Sequence, residues 1–426
     1  MDLKRLFCLL TCFSLLTIAS VAWSAEIHGR SSTQFQWYND ILTDKKVAEF
    51  GEYLNLSITK IDKADKLSIQ GYGRITQDVQ SDNGFNGRLY YLYADYRDLY
   101  DKIDFRLGRQ FVNYAAGSAL IDGGQVELKK VGPVAFSIMG GRNVFFDLKG
   151  EATRANDFVF GAAAYLTGFQ KTDAELSYFA KWDKDGLARD QLGLSLKQYL
   201  FNSVKLYGNT RFELASESFS ELLVGAKYFP TSELIFTTEW YQSYPTFDAT
   251  SIYSVFGVER YQEVVLRADY IINDKITLNA GYNKQWYGDS HGESANVFEI
   301  GCRIRPMDHV QLNLNYDYRN GYGGKLNGAI AEVTYEPMKT LELAAGVHFD
   351  VFERERGTGF VDSATTSASQ TALLNLRNYT ETARKYWAGA KYVIAKNMSI
   401  SARIEDNVNQ HYKSDWAGRT AFNYNF

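Results

Sequence analysis

Residues 310–318 of this chain read Val-Gln-Leu-Asn-Leu-Asn-Tyr-Asp-Tyr, and this stretch decides the fold. Apolar or aromatic residues occupy every second position, and amides or a carboxylate occupy the positions between them. Because side chains alternate between the two faces of a β-strand, this period of two predicts a strand with one apolar and one polar face. Residues 398–405 and 204–214 repeat the pattern.

The alternation continues from residue 26 to the end of the chain, in about 22 segments. Each segment with its connection takes about 18 residues, which leaves room for a turn beside the 9–11 residues that a transmembrane strand needs. The predicted strands begin near residues 26, 50, 66, 87, 103, 119, 134, 157, 173, 189, 204, 219, 233, 261, 275, 296, 310, 324, 341, 383, 398 and 414.

Composition narrows the class of protein. Of the 426 residues, 15% are aromatic, the formal net charge is −4 and the mean hydropathy is −0.31. A disordered chain would lack these aromatic residues. A helical membrane protein needs about 18 or more consecutive apolar residues, which do not occur after residue 25. The near-neutral charge also argues against a nucleic-acid partner.

The first 25 residues form a predicted export signal. A basic start precedes an apolar run over residues 6–21 and then small residues, which is typical of a Sec signal peptide. Two of the 3 cysteines lie in this segment, so its removal would leave Cys302 alone and no internal disulfide. We expect a cleaved signal at residues 1–25, with the cleavage point left open, and a single domain at residues 26–426.

The connections between the predicted strands are of two alternating kinds. One kind is tight, and the other is longer and more polar, with the longest loops near residues 242–260 and 353–380. Short turns at one end and long loops at the other predict an all-β, closed, antiparallel up-and-down transmembrane β-barrel. It would have about 22 strands (range 18–22), short periplasmic turns and long extracellular loops. Proline marks turns because it cannot sit inside a central strand, and the tight links contain Pro133, Pro230, Pro306 and Pro337.

The last strand carries Phe422, Tyr424 and Phe426 on one face. This ending resembles the assembly signal of Gram-negative outer-membrane porin-like β-barrels, and residues 106–110, Arg-Leu-Gly-Arg-Gln, are similar to a strand of porin-type proteins. The resemblance implies export through the Sec pathway and insertion into the outer membrane by the barrel-assembly machinery. It also implies contact with outer-membrane lipid and lipopolysaccharide.

Aromatic residues near strand ends suit the membrane–water interface, where the ring lies in the apolar layer and the polar tip is hydrated. Tyr91 and Tyr93 fall on the opposite phase, which would face the lumen. The predicted interfacial residues are Tyr96, Trp182, Tyr241, Tyr270, Trp286, Tyr318, Tyr335 and Trp416.

The polar phase of the strands predicts a charged inner wall with similar numbers of acidic and basic residues. Two interpretations stay open: cross-strand salt bridges that support the wall, or a field that orients solutes at a constriction. Because no ring carries one sign of charge, strong ion selectivity is not expected. The candidate pore-lining residues are Arg74, Arg106, Arg211, Arg267, Asp269, Glu299, Arg303, Arg305, Asp317, Arg403 and Arg419.

The sequence does not favour an enzyme. The five histidines are scattered, and no nucleophile elbow, phosphate-binding loop, zinc-protease pattern or haem-attachment pattern occurs. We therefore expect no catalytic residues, no metal site and no cofactor.

The predicted width leads to three candidate functions. Barrels of 16–18 strands already hold an aqueous channel, and this chain has no segment for a plug domain. We expect either the loop at residues 353–380 or a separate protein to narrow the lumen.

The first candidate function is a porin-type channel for passive diffusion of small hydrophilic solutes. The alternatives are a sheath around a multihaem cytochrome in an electron conduit and an exporter of anionic polysaccharide. The solute and the choice between monomer and trimer stay open.

Overall fold

A computed structural model describes residues 25–40, 45–80, 84–147, 150–152, 157–244, 260–288, 293–354, 379–409 and 414–426. The predicted export signal and most of the two long predicted loops therefore lie outside the described residues, namely residues 1–24, 245–259 and 355–378. The signal stays a prediction. In the described part, no helix is long and apolar enough to cross a membrane.

The described residues form 24 strands, of which 22 belong to one sheet. The 22-stranded sheet confirms the predicted strand number, and the strand starts differ from prediction most at β2 and β22. The strands are β1 (Glu26–Asp40), β2 (Lys45–Thr59), β3 (Leu67–Asp78), β4 (Asn86–Leu99), β5 (Ile103–Tyr114), β6 (Gly117–Val131), β7 (Val134–Asn143), β8 (Phe145–Asp147), β9 (Gly150–Ala152), β10 (Phe158–Phe169), β11 (Thr172–Asp183), β12 (Gly186–Leu200), β13 (Val204–Glu213), β14 (Ser218–Tyr228), β15 (Leu234–Ser243), β16 (Tyr261–Asn273), β17 (Ile276–Tyr287), β18 (Glu293–Met307), β19 (Val310–Gly321), β20 (Gly324–Met338), β21 (Leu341–Arg354), β22 (Tyr379–Ala395), β23 (Met398–Val408) and β24 (Asp415–Asn425).

Each strand of the large sheet pairs antiparallel with its neighbours along the chain, and the sheet closes on itself. β24 pairs with β1 from Arg30 opposite Asn425 to Trp37 opposite Gly418. Beyond that ladder, the Gly29 amide donates to the Phe426 carbonyl at 2.9 Å, and the Phe426 amide donates back at 3.0 Å. A closed antiparallel barrel, as predicted, leaves no open edge along this seam.

The connections follow the predicted alternation and define two rims. Tight turns join β2 to β3, β4 to β5 and each second pair of wall strands thereafter, and we call their end the short-turn rim. The opposite end is the long-loop rim, which carries the longest connections but also three of only two residues, from β5 to β6, from β11 to β12 and from β19 to β20. The connection from β7 to β10 contains the small hairpin β8–β9, which forms a separate two-stranded sheet. The sequence predicted only a loop there.

The two faces of the wall differ in chemistry. Residues that pair across neighbouring strands lie on the same face, so the pairing register assigns each side chain to a face. One face carries exposed apolar side chains such as Leu107, Leu176 and Ile300, with exposed fractions of 70%, 58% and 60%. The other carries most of the charged residues. Seven of the eight predicted interfacial aromatic residues lie on the apolar face, and the exception is Tyr241, which pairs with Glu263 on the charged face.

Candidate functional site

The β5–β6 hairpin leaves the barrel wall before it reaches the long-loop rim. β5 pairs with β4 only as far as Arg109, opposite Leu92, and β6 pairs with β7 only from Ile121, opposite Asn143. Beyond these points β5 and β6 pair with each other, and one further backbone bond holds β6, from the Val144 amide to the Leu120 carbonyl at 2.8 Å. We call residues 110–120 the inner hairpin, because their contacts place them inside the barrel.

Glycines form a crease where the hairpin turns away from the wall. Gly108, Gly123 and Gly141 stand side by side on β5, β6 and β7. Gly108 has a φ of +132°, and a Cβ on Gly123 would lie 2.1 Å from the Gly140 carbonyl oxygen and 2.5 Å from the Gly141 Cα. A side chain at Gly123 would therefore push the strands apart, which is why this crease requires glycine.

The inner hairpin packs against the charged face of the wall, far from where it starts. The amide of Ala115 donates to Glu175 Oε1 at 2.5 Å, and the amide of Ala116 donates to Ser177 Oγ at 2.9 Å. Both acceptors belong to β11, and β7 and β10 separate β6 from β11 in the wall. The hairpin reaches β11 by crossing the charged face of these two strands. Because the apolar face of a transmembrane barrel meets lipid, the charged face is the inner face.

An apolar core holds the hairpin in place. All its members are buried, including Tyr114 on the hairpin and Phe179 on the wall, with exposed fractions of 2% and 3%. Tyr114 OH also lies 2.8 Å from Ser137 Oγ. Burying one large apolar side chain contributes about 1.5–3 kcal/mol, so the core fixes the hairpin across this part of the lumen. The core consists of Val112, Tyr114, Ala116, Ala119, Ile121, Met139, Val159, Ala163 and Phe179.

A bidentate ion pair braces the base of the hairpin on the outer side. Arg109 Nε and Nη2 each donate at 2.7 Å to a different carboxylate oxygen of Asp122. Arg109 Nη1 also donates to the Leu89 carbonyl at 3.2 Å. Leu89 belongs to the part of β4 that β5 no longer pairs, so this bond satisfies a backbone acceptor at the gap.

The small hairpin β8–β9 reaches β4 from the other side of the crease. The ring of Phe146 lies 5.6 Å from the ring of Tyr90, and the Arg88 guanidinium lies 4.9 Å from the Phe146 ring. The β7–β10 connection is thereby attached to the inner face of β4, next to the place that β5 and β6 leave.

The structure places all eleven predicted pore-lining residues on the inner face. Ten follow from the pairing register, and Arg305 follows from its hydrogen bond at 3.2 Å to Gln311, which pairs with Thr334 on that face. They do not converge on one constriction but are spread around the wall. That they contact a passing solute stays a prediction.

Several of the predicted charges are engaged in ion pairs across or along strands. Arg106 lies 3.6 Å from Asp95, Arg211 lies 3.3 Å from Glu221 and Arg267 lies 3.7 Å from Glu299. These contacts favour the interpretation in which salt bridges support the wall. Arg403 and Arg419 instead stand directly opposite each other on β23 and β24, with Glu405 3.4 Å from Arg403.

Comparison with known proteins gives a likeness of structure only. No family model matches the sequence, and no curated protein matches it. Pseudomonas aeruginosa OpdQ is 11% identical, with a TM-score of 0.43 over 94% of this chain and 99% of that chain. Acinetobacter baumannii OccAB2 is 8% identical, with a TM-score of 0.48 over 95% of this chain and 98% of that chain. P. aeruginosa OprD is 10% identical, with a TM-score of 0.44 over 95% of each chain.

These three proteins are outer-membrane porins. Their identities and TM-scores are too low to transfer a function, so we base the function of this chain on the geometry of its own barrel. The described residues contain no group of three or more His, Cys, Asp or Glu side chains placed to hold a metal ion.

Sequence reasoning missed the inner hairpin, although two signals point to it. Residues 110–121 contain no charged residue on either phase, whereas a wall strand that faces water would carry some. A glycine pair also follows this stretch at residues 123–124, and a second pair occurs in the next predicted strand at residues 140–141. The expected constriction, the loop at residues 353–380, lies almost wholly outside the described residues. Among the described residues, the β5–β6 hairpin lies inside the lumen and the small hairpin β8–β9 contacts the inner face of β4.

Proposed function

We propose that the chain is an outer-membrane channel through which small hydrophilic solutes diffuse passively. One observation carries this proposal: a closed 22-stranded wall with an apolar outer face and a charged inner face, narrowed by a hairpin that is part of the same chain. A wall of this width leaves an aqueous lumen. The inner hairpin supplies the narrowing that an otherwise open pore needs.

The chemistry of the two faces supports the location. Apolar side chains outside suit lipid, and closure satisfies the backbone groups that lipid cannot hydrate. We place the short-turn rim in the periplasm and the long-loop rim outside the cell, as in bacterial outer-membrane barrels. The predicted Sec signal at residues 1–25 and the terminal residues Phe422, Tyr424 and Phe426 fit export and assembly by the barrel-assembly machinery.

The inner hairpin also bears on the alternative functions. A sheath for a multihaem cytochrome needs a free lumen, and here a buried apolar core occupies the sector in front of β7, β10 and β11. An exporter of anionic polysaccharide gains nothing from the acidic residues that pair with the lumenal arginines. The diffusion channel needs neither a partner nor an excess of positive charge.

Planar bilayer recording on the purified protein tests the proposal. We expect discrete open steps whose conductance rises with salt concentration, together with recovery of the protein in the outer-membrane fraction. A protein that produces no steps, and that co-purifies with haem absorbance, would overturn the channel and support the sheath.

A further inference from the structure

Four tyrosine rings form an arc along the inner side of the long-loop rim. We call this set the tyrosine arc. Successive ring centroids lie 6.2, 5.3 and 5.0 Å apart, and none of the four residues is fully buried. The arc consists of Tyr241 on β15, Tyr261 on β16, Tyr287 on β17 and Tyr322 in the turn from β19 to β20.

The pairing register places the arc in the lumen. Tyr261 lies six residues before Arg267 on β16, and residues an even number apart share one face of a strand. Tyr287 pairs with Tyr261, and Tyr241 pairs with Glu263 on the same inner face. The inner hairpin packs against β7, β10 and β11, so the arc lies on a different part of the wall. A solute that enters at the long-loop rim would meet these rings at the mouth of the channel.

A chain of hydrogen bonds joins the rings to planar polar groups one inner position further from the rim. Tyr261 OH donates to Glu263 Oε2 at 2.9 Å, and Gln285 Nε2 donates to Glu263 Oε1 at 3.3 Å. Tyr287 OH donates to Gln285 Oε1 at 2.9 Å, and Arg319 Nη2 donates to Tyr287 OH at 3.3 Å. The chain fixes the orientation of these groups before a ligand arrives. The carboxylate, carboxamide and guanidinium still have unused acceptor or donor positions.

The charges beside the arc are of both signs. Glu263 and Arg319 are the two charged members of the hydrogen-bonded chain, and Glu293 stands opposite Tyr287 at the rim. A cation that rested on the Tyr287 ring would meet the guanidinium of Arg319, and an anion would meet the two carboxylates. An uncharged ligand with many hydroxyl groups can instead exchange hydrogen bonds with all three side chains.

We propose that the tyrosine arc is a binding site for uncharged oligosaccharides at the mouth of the channel, an inference that rests on the proposed channel. The C–H face of a pyranose ring is apolar and slightly positive, so it packs against the negative face of an aromatic ring. The hydroxyl groups at the edge of the same pyranose can bond to Glu263, Gln285 and Arg319. A row of rings above a row of planar polar groups therefore matches a short chain of neutral sugar units.

The outer face of the same strands provides matched controls. Tyr270 lies on the outer face of β16, and Tyr282 lies on that of β17, where it pairs with Phe298. Their substitution removes two tyrosine rings from the two strands that carry the centre of the arc and leaves the lumen unchanged. Gln242 on the outer face of β15 accepts a hydrogen bond from Gln262 at 3.1 Å and is the outer counterpart of a lumenal glutamine.

Current block by maltotriose tests the inference. In wild-type channels we expect transient blocks, and in the Tyr261→Leu/Tyr287→Leu variant we expect their lifetime to fall by about tenfold, because two ring contacts are lost. The Tyr270→Leu/Tyr282→Leu control should retain the wild-type lifetime. Open steps in both variants would show that the barrels have folded. Equal loss in the two variants, or no block in wild-type channels, would overturn the site.

A second pair of variants and a second ligand test the chemistry. Gln285→Leu should shorten the maltotriose blocks, because the hydrogen bonds to sugar hydroxyls are lost, and Gln242→Leu should not. Equal lifetimes in these two variants would overturn the role of the polar groups. Choline, a quaternary ammonium ion that aromatic rings also bind, should block more briefly than maltotriose. Longer blocks by choline would overturn the assignment to saccharides.

Calorimetric titration of maltotriose into the detergent-solubilised protein separates this inference from the proposed function. Binding that is weakened by Tyr261→Leu/Tyr287→Leu, and not by Tyr270→Leu/Tyr282→Leu, supports the site even if the protein opens no channel. Open channels without measurable binding would refute the site and leave the channel intact.

Discussion

Single residues decide where the wall bends. Gly123 lies between Gly108 and Gly141, and its Cα faces a neighbouring carbonyl so closely that no side chain fits. Gly124, the next residue, is different, because a Cβ there would meet the Arg106 carbonyl oxygen at 3.6 Å and Leu107 Cδ1 at 3.7 Å, which are ordinary contacts. Two adjacent glycines thus have opposite tolerance for a side chain.

We therefore predict that Gly123→Ala displaces the inner hairpin and that Gly124→Ala does not. Forcing an atom into a packed site costs about 1–3 kcal/mol, and moving the hairpin relieves that strain. Single-channel recording should show a larger conductance for Gly123→Ala and the wild-type value for Gly124→Ala. Equal conductance in all three proteins would show that the crease does not position the hairpin.

The stretch at residues 106–110, which is similar to a strand of porin-type proteins, contains residues with different roles in this barrel. Within residues 106–110, Arg106 faces the lumen, Gly108 lies at the crease, Arg109 braces the hairpin base and Gln110 is fully buried, with an exposed fraction of 0%. The sequence showed these residue types but not their roles, which depend on neighbours from β4, β6 and β7.

At the scale of elements, the inner hairpin is continuous with two strands of the wall and also narrows the lumen. Its buried side faces Met139, Val159 and Phe179, and its other side carries Phe111 and Asn113, both exposed. One side therefore belongs to a core and the other to the water-filled space. The position of this hairpin during conduction decides how wide the channel is.

A disulfide between hairpin and wall tests whether the hairpin stays in place. We predict that Ala116→Cys/Ser177→Cys, made in a Cys302→Ser background, forms an intramolecular disulfide, because the Ala116 amide lies 2.9 Å from Ser177 Oγ. Peptide mass spectrometry would detect the bond. Oxidation should leave the single-channel conductance unchanged.

Asn113→Cys/Ser177→Cys is the control for this bond, since Asn113 lies on the exposed side and should not reach Ser177. A fall in conductance when Ala116→Cys/Ser177→Cys is oxidised would contradict a fixed hairpin. It would mean that the open channel requires the hairpin to leave the wall.

A strand could be predicted from the sequence where its alternating pattern fits only a wall strand with one apolar and one polar face. The stretch at residues 310–318 became β19, with Leu312 and Leu314 outside and Asn313 and Asn315 inside. The same alternation continues through β5 and β6, yet it reports only which side chains share a face. It does not report whether that face meets lipid, water or another strand.

The exceptions have local causes. Tyr90 changes face because of a bulge, which shifts the phase by one residue without any break in the apolar pattern. Tyr241 lies inside because its neighbour Trp240 takes the outer position. The inner hairpin escaped prediction because its crease is a row of glycines on three strands, and that row exists only once the strands are in register.

At the scale of the whole molecule, the inner wall carries both signs of charge around its circumference. Ion pairs such as Lys385–Glu405 at 3.0 Å and Arg267–Glu299 at 3.7 Å neutralise much of the local field. A wall of this kind does not select strongly between cations and anions. Like charges also face each other at several places on this wall, among them Arg403 opposite Arg419, Arg74 opposite Arg88 and Lys205 opposite Lys227.

We predict that the wild-type channel gives a reversal potential close to zero in a potassium chloride gradient and that Arg403→Gln/Arg419→Gln moves it toward cation selectivity. Removal of two facing positive charges leaves Glu405 and its neighbours to dominate this part of the wall. Arg384→Gln should have no effect, because Arg384 lies on the outer face, 5.5 Å from the Phe349 ring. A shift of the same size in Arg384→Gln would rule out the lumenal assignment.

The contact between the inner hairpin and β11 also has a mechanical consequence. A wide ring of strands can deform into an ellipse, but the inner hairpin, which is packed across one part of the wall, should stop that part from deforming. The wall from β5 to β11 should therefore be rigid. The wall from β16 to β22, against which no hairpin packs among the described residues, should carry most of the deformation. Hydrogen–deuterium exchange should be slower for the β7, β10 and β11 amides than for those of β19 to β21, and Phe179→Ala should reduce the difference.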